Sequence, residues 1–320
     1  AIWTAQLLGL VRTAFLAQFM AMYQEALAGV AHVGDKEMLN HQDISIIEEV
    51  GEGLTSVVFK GIYQGRVVAV KEMNQRPDAM SAKARLNLER ELMILKSVDH
   101  PSLVAFIGVA EHASKVQIIT EFCEGGSAFD LLHNSDLDLS WQQKSNMIDD
   151  VAAAMGYLHS LQPPIIHRDL KSLNVLLTAE ILTAKDTVEA KVMDFGLSRM
   201  LEEHGGKTVM TRNAGTFHWM APEVFVGNQY DSKVDVYSFS ILLFEIICQE
   251  IPFGDIPGNK LGLAVVKGQR PDLNALPPEC PIQFCHLMVR CWAQESSARP
   301  DFATIRKELK RCSVAFLDDE

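Results

Sequence analysis

The sequence predicts an α+β chain: a small strand-rich unit with one key helix, then a larger, mainly helical unit. Three observations predict it. β-branched runs concentrate between Ile44 and Thr120. The pair Gly125-Gly126 then marks a joint. From Ser140 onward the apolar residues recur mostly at helical spacing. The divisions drawn from this are an apolar extension and linker (1–42), the small unit (43–123), the larger unit (124–313) and an acidic tail (314–320). At 320 residues, with 48% hydrophobic and 22% charged content, the chain has ample material for a core. A formal net charge of −12 argues against a nucleic-acid groove and otherwise bears on solubility and steering. Cys123, Cys248, Cys280, Cys285, Cys291 and Cys312 form no C-x-x-C pair and no common zinc spacing. With no secretory pattern, they read as reduced thiols in a cytoplasmic protein.

From Ala1 to Gln24 the only charge is Arg12, and Leu8, Val11, Phe15, Phe19 and Met22 keep a helical period. A membrane span needs about 20 apolar residues, and a central Arg costs about 2.5–3.5 kcal/mol. Gln6 and Gln18 weaken that reading further, and no basic region precedes the apolar part as in a signal peptide. The segment reads as a helix packing on this chain or on a partner; a membrane-associated helix and an unstructured linker are the alternatives. The missing initiator Met leads us to expect a piece of a longer chain. The polar run from Gly34 to Asp43 reads as linker.

Ile44, Ile46 and Ile47 lead into Val50-Gly51-Glu52-Gly53 and on to Val58. Glycines at this spacing let a hairpin backbone approach phosphates with no Cβ in the way. A lone G-x-G is weak, and Ser56 stands where the usual motif has its third glycine. Val58 is apolar, as an adenine-contacting residue should be. The run from Gly65 to Lys71 reads as a strand, and Lys71 at its end needs a partner if it is buried. Residues 82–97 read as a helix, with Leu88, Leu92 and Leu95 in period. It offers Glu91, with Glu89 as the competing choice. Lys71 is then placed on the α and β phosphates of a nucleotide. Leu103–Ile107 and Val116–Thr120 read as two more strands, followed by Glu121-Phe122-Cys123-Glu124, a hinge whose backbone groups can hydrogen-bond adenine.

Ser140 to Gln143 reads as a capping box that opens a helix through Ile148, Val151, Met155 and Leu158. That helix delivers the chain to His167-Arg168-Asp169-Leu170-Lys171-Ser172-Leu173-Asn174. A carboxylate to accept a hydroxyl proton, a Lys to hold a phosphate and an Asn to hold a metal are the parts of a phosphoryl-transfer site. Asp194-Phe195-Gly196 follows twenty residues after Asn174 and adds a carboxylate, so Asp194 and Asn174 make a hard-oxygen pair for Mg²⁺. The polar stretch 197–217 holds Thr208, Thr211 and Thr216 and reads as a mobile loop. Residues 235–244 are apolar on nearly all sides, which places that helix at the centre of a unit. Phe302, Ile305 and Leu309 define a closing amphipathic helix.

Taken together, residues 43–312 resemble a eukaryotic protein kinase. The carriers are V-A-V-K at 68–71, H-R-D-L-K-S-L-N at 167–174, D-F-G at 194–196, A-P-E at 221–223 and Arg299. G-T-F-H-W-M-A-P-E-V at 215–224, K-V-D-V-Y-S-F at 233–239 and C-W-A-Q-E-S-S-A-R-P at 291–300 are similar to the tyrosine-kinase-like branch, in the style of Raf and mixed-lineage kinases. The resemblance implies a two-lobed fold with a small antiparallel sheet in the first lobe. It also implies ATP with Mg²⁺, or Mn²⁺ in its place, and a protein substrate whose Ser or Thr hydroxyl is phosphorylated; Lys171 favours Ser and Thr over Tyr. It favours Glu91 as the partner of Lys71. Asp169 is implied as the proton acceptor and Lys171 as the group on the transferring phosphoryl. Val58, Ala69 and Leu176 are implied around the adenine, Thr120 as gatekeeper, and His167, Phe195, Leu95 and Phe106 as a spine. Glu223 is implied to pair with Arg299, Thr216 to line the substrate pocket, and Arg168 to bind a phosphate on Thr208 or Thr211. Leu173, where base-directed members carry Glu, implies no strong preference for Arg upstream of the target. A pseudokinase scaffold and dual specificity toward Tyr are the competing readings; Lys71, Glu91, Asp169, Asn174 and Asp194 all being present weighs against the first.

Overall fold

The β-branched run that ends at Lys71 becomes the middle strand of a five-stranded antiparallel sheet. The computed structural model describes residues 38–53, 55–200, 217–227 and 230–315. These fall into two compact units, one of residues before 100 together with Ala105–Phe122, the other of His100–Val104 with residues from Cys123 on. The sequence-read segment 1–34 and Thr208, Thr211 and Thr216 lie outside the described residues.

In the first unit, β1 (Ile44–Glu52), β2 (Ser56–Tyr63), β3 (Arg66–Met73), β4 (Phe106–His112) and β5 (Lys115–Glu121) run in the order β1-β2-β3-β5-β4. One face carries Val68, Val70 and Ile119, which cluster with Ile44 and Ala110. The strand period of two sends the alternate residues to the other face. There Val58 stands opposite Lys71, and Ala69 opposite Thr120. The helix read over 82–97 forms as Ala82–Ser97 (α1), capped by Ser81, whose hydroxyl accepts from the Ala84 amide. It buries Leu88, Glu91, Leu92, Ile94 and Leu95.

Two sequence expectations change here. Residues 38–43, read as part of a linker, pack onto the first unit: Met38 bridges to Val109, the Leu39 amide donates to Val109 O at 2.8 Å, Leu39 packs against the core, and His41–Asp43 form a 3-10 helix leading into β1. The strand expected over 103–107 begins only at Phe106. Ahead of it the backbone bonds elsewhere, with the Val104 amide donating to Val192 O and the Val192 amide to Ser102 O. Amide groups of a buried segment must find partners, and those of 102–104 find them in the second unit.

The second unit is built around α5. After α2 (Ala128–His133) comes α3 (Trp141–Ser160), opened by the capping box of Ser140 and Gln143. Short antiparallel pairs follow, β6 (Ile165–Ile166) with β9 (Arg199–Met200) and β7 (Val175–Leu177) with β8 (Ala190–Val192). Then come α4 (Pro222–Phe225) and α5 (Lys233–Cys248), in which every residue from Val234 to Ile247 is buried. α6 (Gly258–Val266), α7 (Ile282–Cys291) and α8 (Phe302–Ala315) complete it, and α8 buries Phe302, Ile305 and Leu309. Among the described residues, no helix is long and apolar enough to cross a membrane.

Gly125 is fixed by close approach. A Cβ there would lie 2.1 Å from Ala179 O and 2.7 Å from the Leu177 side chain. The Gly125 amide already donates to Leu177 O at 3.0 Å, so neither backbone can withdraw freely. Gly125→Ala is expected to cost about 1–3 kcal/mol by overpacking, read as a lowered urea midpoint at unchanged slope.

Candidate phosphoryl-transfer site

Local strand geometry ends β3 near Lys71, and the helical period turns Glu91 inward on α1. Lys71 Nζ donates to Glu91 Oε1 at 2.6 Å, and Glu91 is buried. The pair resolves the choice left between Glu89 and Glu91. Gly51, Glu52 and Gly53 lie at the end of β1, where the Gly53 amide donates to Ser56 O at 2.8 Å. A Cβ on Gly51 would meet no atom within 4 Å, so packing within the chain does not require glycine there and the space beside the strand is open. At the end of β5, the Glu121 carboxylate accepts from the Ala105 amide at 2.6 Å. Cys123 opens the second unit and is buried. Leu95 and Phe106 are buried in the first unit.

In the second unit, the loop of 167–174 is held by hydrogen bonds at nearly every residue. His167 is fully buried; its Nε2 lies 3.0 Å from Met193 O, and its Nδ1 faces the Asp169 amide at 3.3 Å. A carbonyl on one side and an N–H on the other fix the tautomer with the proton on Nε2. The ring sits 5.6 Å from that of Phe195. Asp169 Oδ2 accepts from Lys171 Nζ at 2.8 Å and from Asn174 Nδ2 at 3.0 Å. Its Oδ1 is buried and has no hydrogen-bond partner. One oxygen is therefore pinned by two donors, and the other is left able to accept a proton. Leu176 lies on β7, beside this loop in sequence.

Asn174 Nδ2 also donates to Asp169 O at 2.8 Å, so the amide nitrogen is committed and Oδ1 is the atom it can offer to a cation. Asp194 holds a left-handed φ of 69°, and its Oδ1 accepts from the Gly196 amide at 3.1 Å. Among the described residues no cluster of three or more His, Cys, Asp or Glu can hold a metal by itself. Two oxygen donors fit a hard divalent ion whose remaining ligands are phosphate oxygens and water. Arg168 is also left-handed, at φ 71°. Non-glycine residues in this region carry strain that the surroundings must hold. The Arg168 guanidinium donates to Leu197 O at 3.0 Å and lies over the Tyr230 ring.

What holds that strain is Asp235, a role the sequence reading missed. Its carboxylate is fully buried at the start of α5 and accepts from the His167 and Arg168 amides at 2.9 and 2.8 Å and from His159 Nε2 at 2.8 Å. An acid inside an otherwise apolar helix was the available signal. Burial alone would push this carboxyl up; the hydrogen bond and charge of His159 and the bond from the Arg168 amide outweigh it and hold the group below its ordinary range. A depressed folded value means stability that is present above about pH 4 and is lost as pH falls through the lowered value. Urea midpoints of the wild type are expected to drop more steeply below about pH 4 than those of Asp235→Asn, which lacks the titrating group.

Glu223 and Arg299 form a bidentate pair, with contacts of 2.6 and 2.9 Å. Leu173 is exposed on the surface of its loop.

The first unit carries a Lys–Glu pair on strand and helix, and the second carries a carboxylate with one pinned and one unpartnered oxygen and an Asp-Phe-Gly turn; these are features of the protein kinase class. The chain belongs to the protein tyrosine and serine/threonine kinase family, which matches residues 44–309. It is 36% identical over 279 residues to a probable serine/threonine-protein kinase, kinX, of Dictyostelium discoideum, covering 85% of this chain and 24% of that protein. It is 35% identical to a probable LIM domain-containing serine/threonine-protein kinase of the same organism, covering 86% of this chain and 40% of the relative. A putative serine/threonine-protein kinase/receptor, R831, of Acanthamoeba polyphaga mimivirus is 32% identical, with 87% and 16% covered. The chain thus spans two fifths or less of the length of these relatives.

Proposed function

We propose that this chain is an ATP-dependent protein kinase that transfers the γ-phosphate to Ser and Thr hydroxyls of protein substrates. The observation that carries the reading is the asymmetry of Asp169, with Oδ2 tied to Lys171 and Asn174 and Oδ1 open. Oδ1 takes the hydroxyl proton as the acceptor oxygen attacks phosphorus. Lys171, already on the same carboxylate, offsets charge on the transferring phosphoryl. Lys71, held by Glu91, binds the α and β phosphates, beside Gly51, Glu52 and Gly53. Val58, Ala69, Leu176 and Thr120 contact the adenine, which hydrogen-bonds the backbone of Glu121 and Cys123. Asn174 and Asp194 hold Mg²⁺, which when bound neutralises phosphate charge; Mn²⁺ suits the same oxygens. The subfamily motifs support the tyrosine-kinase-like branch, and cysteine spacings that match neither a C-x-x-C pair nor a common zinc site support a cytoplasmic setting.

Phosphoamino-acid analysis after reaction with a generic protein substrate tests the reading. Phosphoserine and phosphothreonine are expected; phosphotyrosine alone, or no transfer, would overturn it. Control by phosphorylation of the loop is part of the proposal, with Arg168 as receiver and Thr208 and Thr211 as acceptors. Alanine at both is expected to lower activity about tenfold or more and to reduce phosphate incorporation into the chain itself.

A further inference from the structure

A cavity of about 1110 Å³ opens in the second unit between the end of α2, the start of α3, the end of α5 and residues 269–279. None of the residues assigned above to nucleotide, metal or proton transfer lines it. Buried Leu132, Phe244, Ile247 and Phe253 give it apolar walls, and Ile251 adds a side chain that is 46% exposed. Six exposed acids, Asp136, Asp138, Glu250, Asp255, Asp272 and Glu279, line it against two cations, Lys144 and Arg270. Both cations are committed. Lys144 is buried, and its Nζ donates to Ile247 O at 3.1 Å; of the six acids it reaches Asp138, at 3.9 Å. The Arg270 guanidinium donates to Trp292 O at 2.8 Å and to Gln294 Oε1 at 2.7 Å. Asp272 is turned back on the Asn274 amide at 3.0 Å. The side chains of Asp136, Glu250, Asp255 and Glu279 form no ion pair or hydrogen bond among the described residues.

The walls are held in place by the chain itself. Gln249, just past α5, has a left-handed φ of 52°. Its side chain accepts from the Leu139 amide at 3.0 Å and donates to Leu137 O at 2.9 Å, which pins 137–139 to the end of α5. Phe253 is also left-handed, at φ 58°, a conformation that costs an aromatic residue and is held here by burial of its ring. Walls fixed in the free protein lose little freedom on binding. Charge then selects the occupant. A nucleic acid or an anionic membrane surface is repelled by this rim. An extended peptide fits it, because its side chains alternate in direction and can offer cations to the rim and apolar groups to the walls. We propose that this cavity docks an extended basic segment of a partner protein. Its Lys or Arg side chains pair with Asp136, Glu250, Asp255 and Glu279, and its alternate apolar side chains pack on Ile251 and Phe253. The docking is separate from phosphoryl transfer and does not depend on the role given to Asp169.

The test is fluorescence anisotropy of a fluorescein-labelled peptide of alternating Arg and Leu, titrated with the full chain. Saturable binding is expected, weakened about tenfold or more between about 50 and 500 mM salt. The double variant Glu250→Lys with Asp255→Lys should weaken it about tenfold or more, and Ile251→Ser about three- to fivefold. All three side chains are exposed, so the variants should fold, and their ATP affinity should stay within about twofold of the wild type. A peptide with Ser in place of Leu should bind at least about fivefold more weakly. Absence of saturable binding, equal binding by the lysine variant, equal binding of the Arg and Ser peptide, or displacement of the probe by ATP would each overturn the proposal. So would self-association of the wild type that shuts out the peptide and is abolished by the same lysines, since the occupant would then be a second copy. None of these readouts measures transfer, so a chain that phosphorylates nothing would count against the proposed reaction and leave the docking result standing.

Discussion

Replacing Asp169 with Asn is expected to lower phosphoryl transfer by about 10²–10⁴-fold, the usual worth of a positioned general base. The reason lies in how the two oxygens are used. Oδ2 accepts from both Lys171 and Asn174, so the carbonyl oxygen of an Asn settles there and keeps both bonds. The amide N–H₂ then occupies the place of Oδ1, the atom without a partner. A group that accepted a hydroxyl proton becomes one that donates. Since the loop keeps its contacts, nucleotide affinity should stay within about threefold, because Lys71 and Glu91 are untouched. Isothermal titration with ATP and Mg²⁺, set beside a radiolabel transfer assay, checks both halves. Retained full activity would refute the assignment.

Arg299→Leu is expected to give the largest loss of stability, about 3–5 kcal/mol, because it leaves the half-buried Glu223 carboxylate and several carbonyls without partners. Arg299 is 2% exposed. Besides Glu223, it donates to Ala293 O and Lys233 O, each at 2.9 Å, and its guanidinium lies over the Tyr237 ring. Leu fills some of the volume and none of these bonds. For a chain of this size the melting temperature should fall by roughly 10 °C, measured by calorimetry. Arg299→Lys keeps the charge but cannot make the bidentate pair, so an intermediate loss is expected. Equal stability of Arg299→Leu and the wild type would show the pair to be dispensable.

Other residues show how far the chain could be read before folding. The leucine period at 88, 92 and 95 and the capping box of Ser140 and Gln143 are short-range signals, so α1 and α3 were legible from a few neighbours. Residues 102–104 were not, because a β-branched run looks alike whether its amides pair in one sheet or with Val192.

The sequence by itself determined most of the elements and the groups proposed to react. Asp169, Lys171 and Asn174 lie within six residues, and short-range geometry is enough to bring such neighbours together. Tertiary structure decided which groups hold them: Glu91 rather than Glu89 for Lys71, Asp235 beneath the strained Arg168, and Glu245 between Ser172 and Trp219. It also decided which oxygen of Asp169 stays open. The physical reason is separation along the chain. His133 and Glu245 are 112 residues apart, and Asp235 and His167 are 68 apart. No local propensity encodes such a bond. It forms only when packing buries both partners and each must satisfy the other.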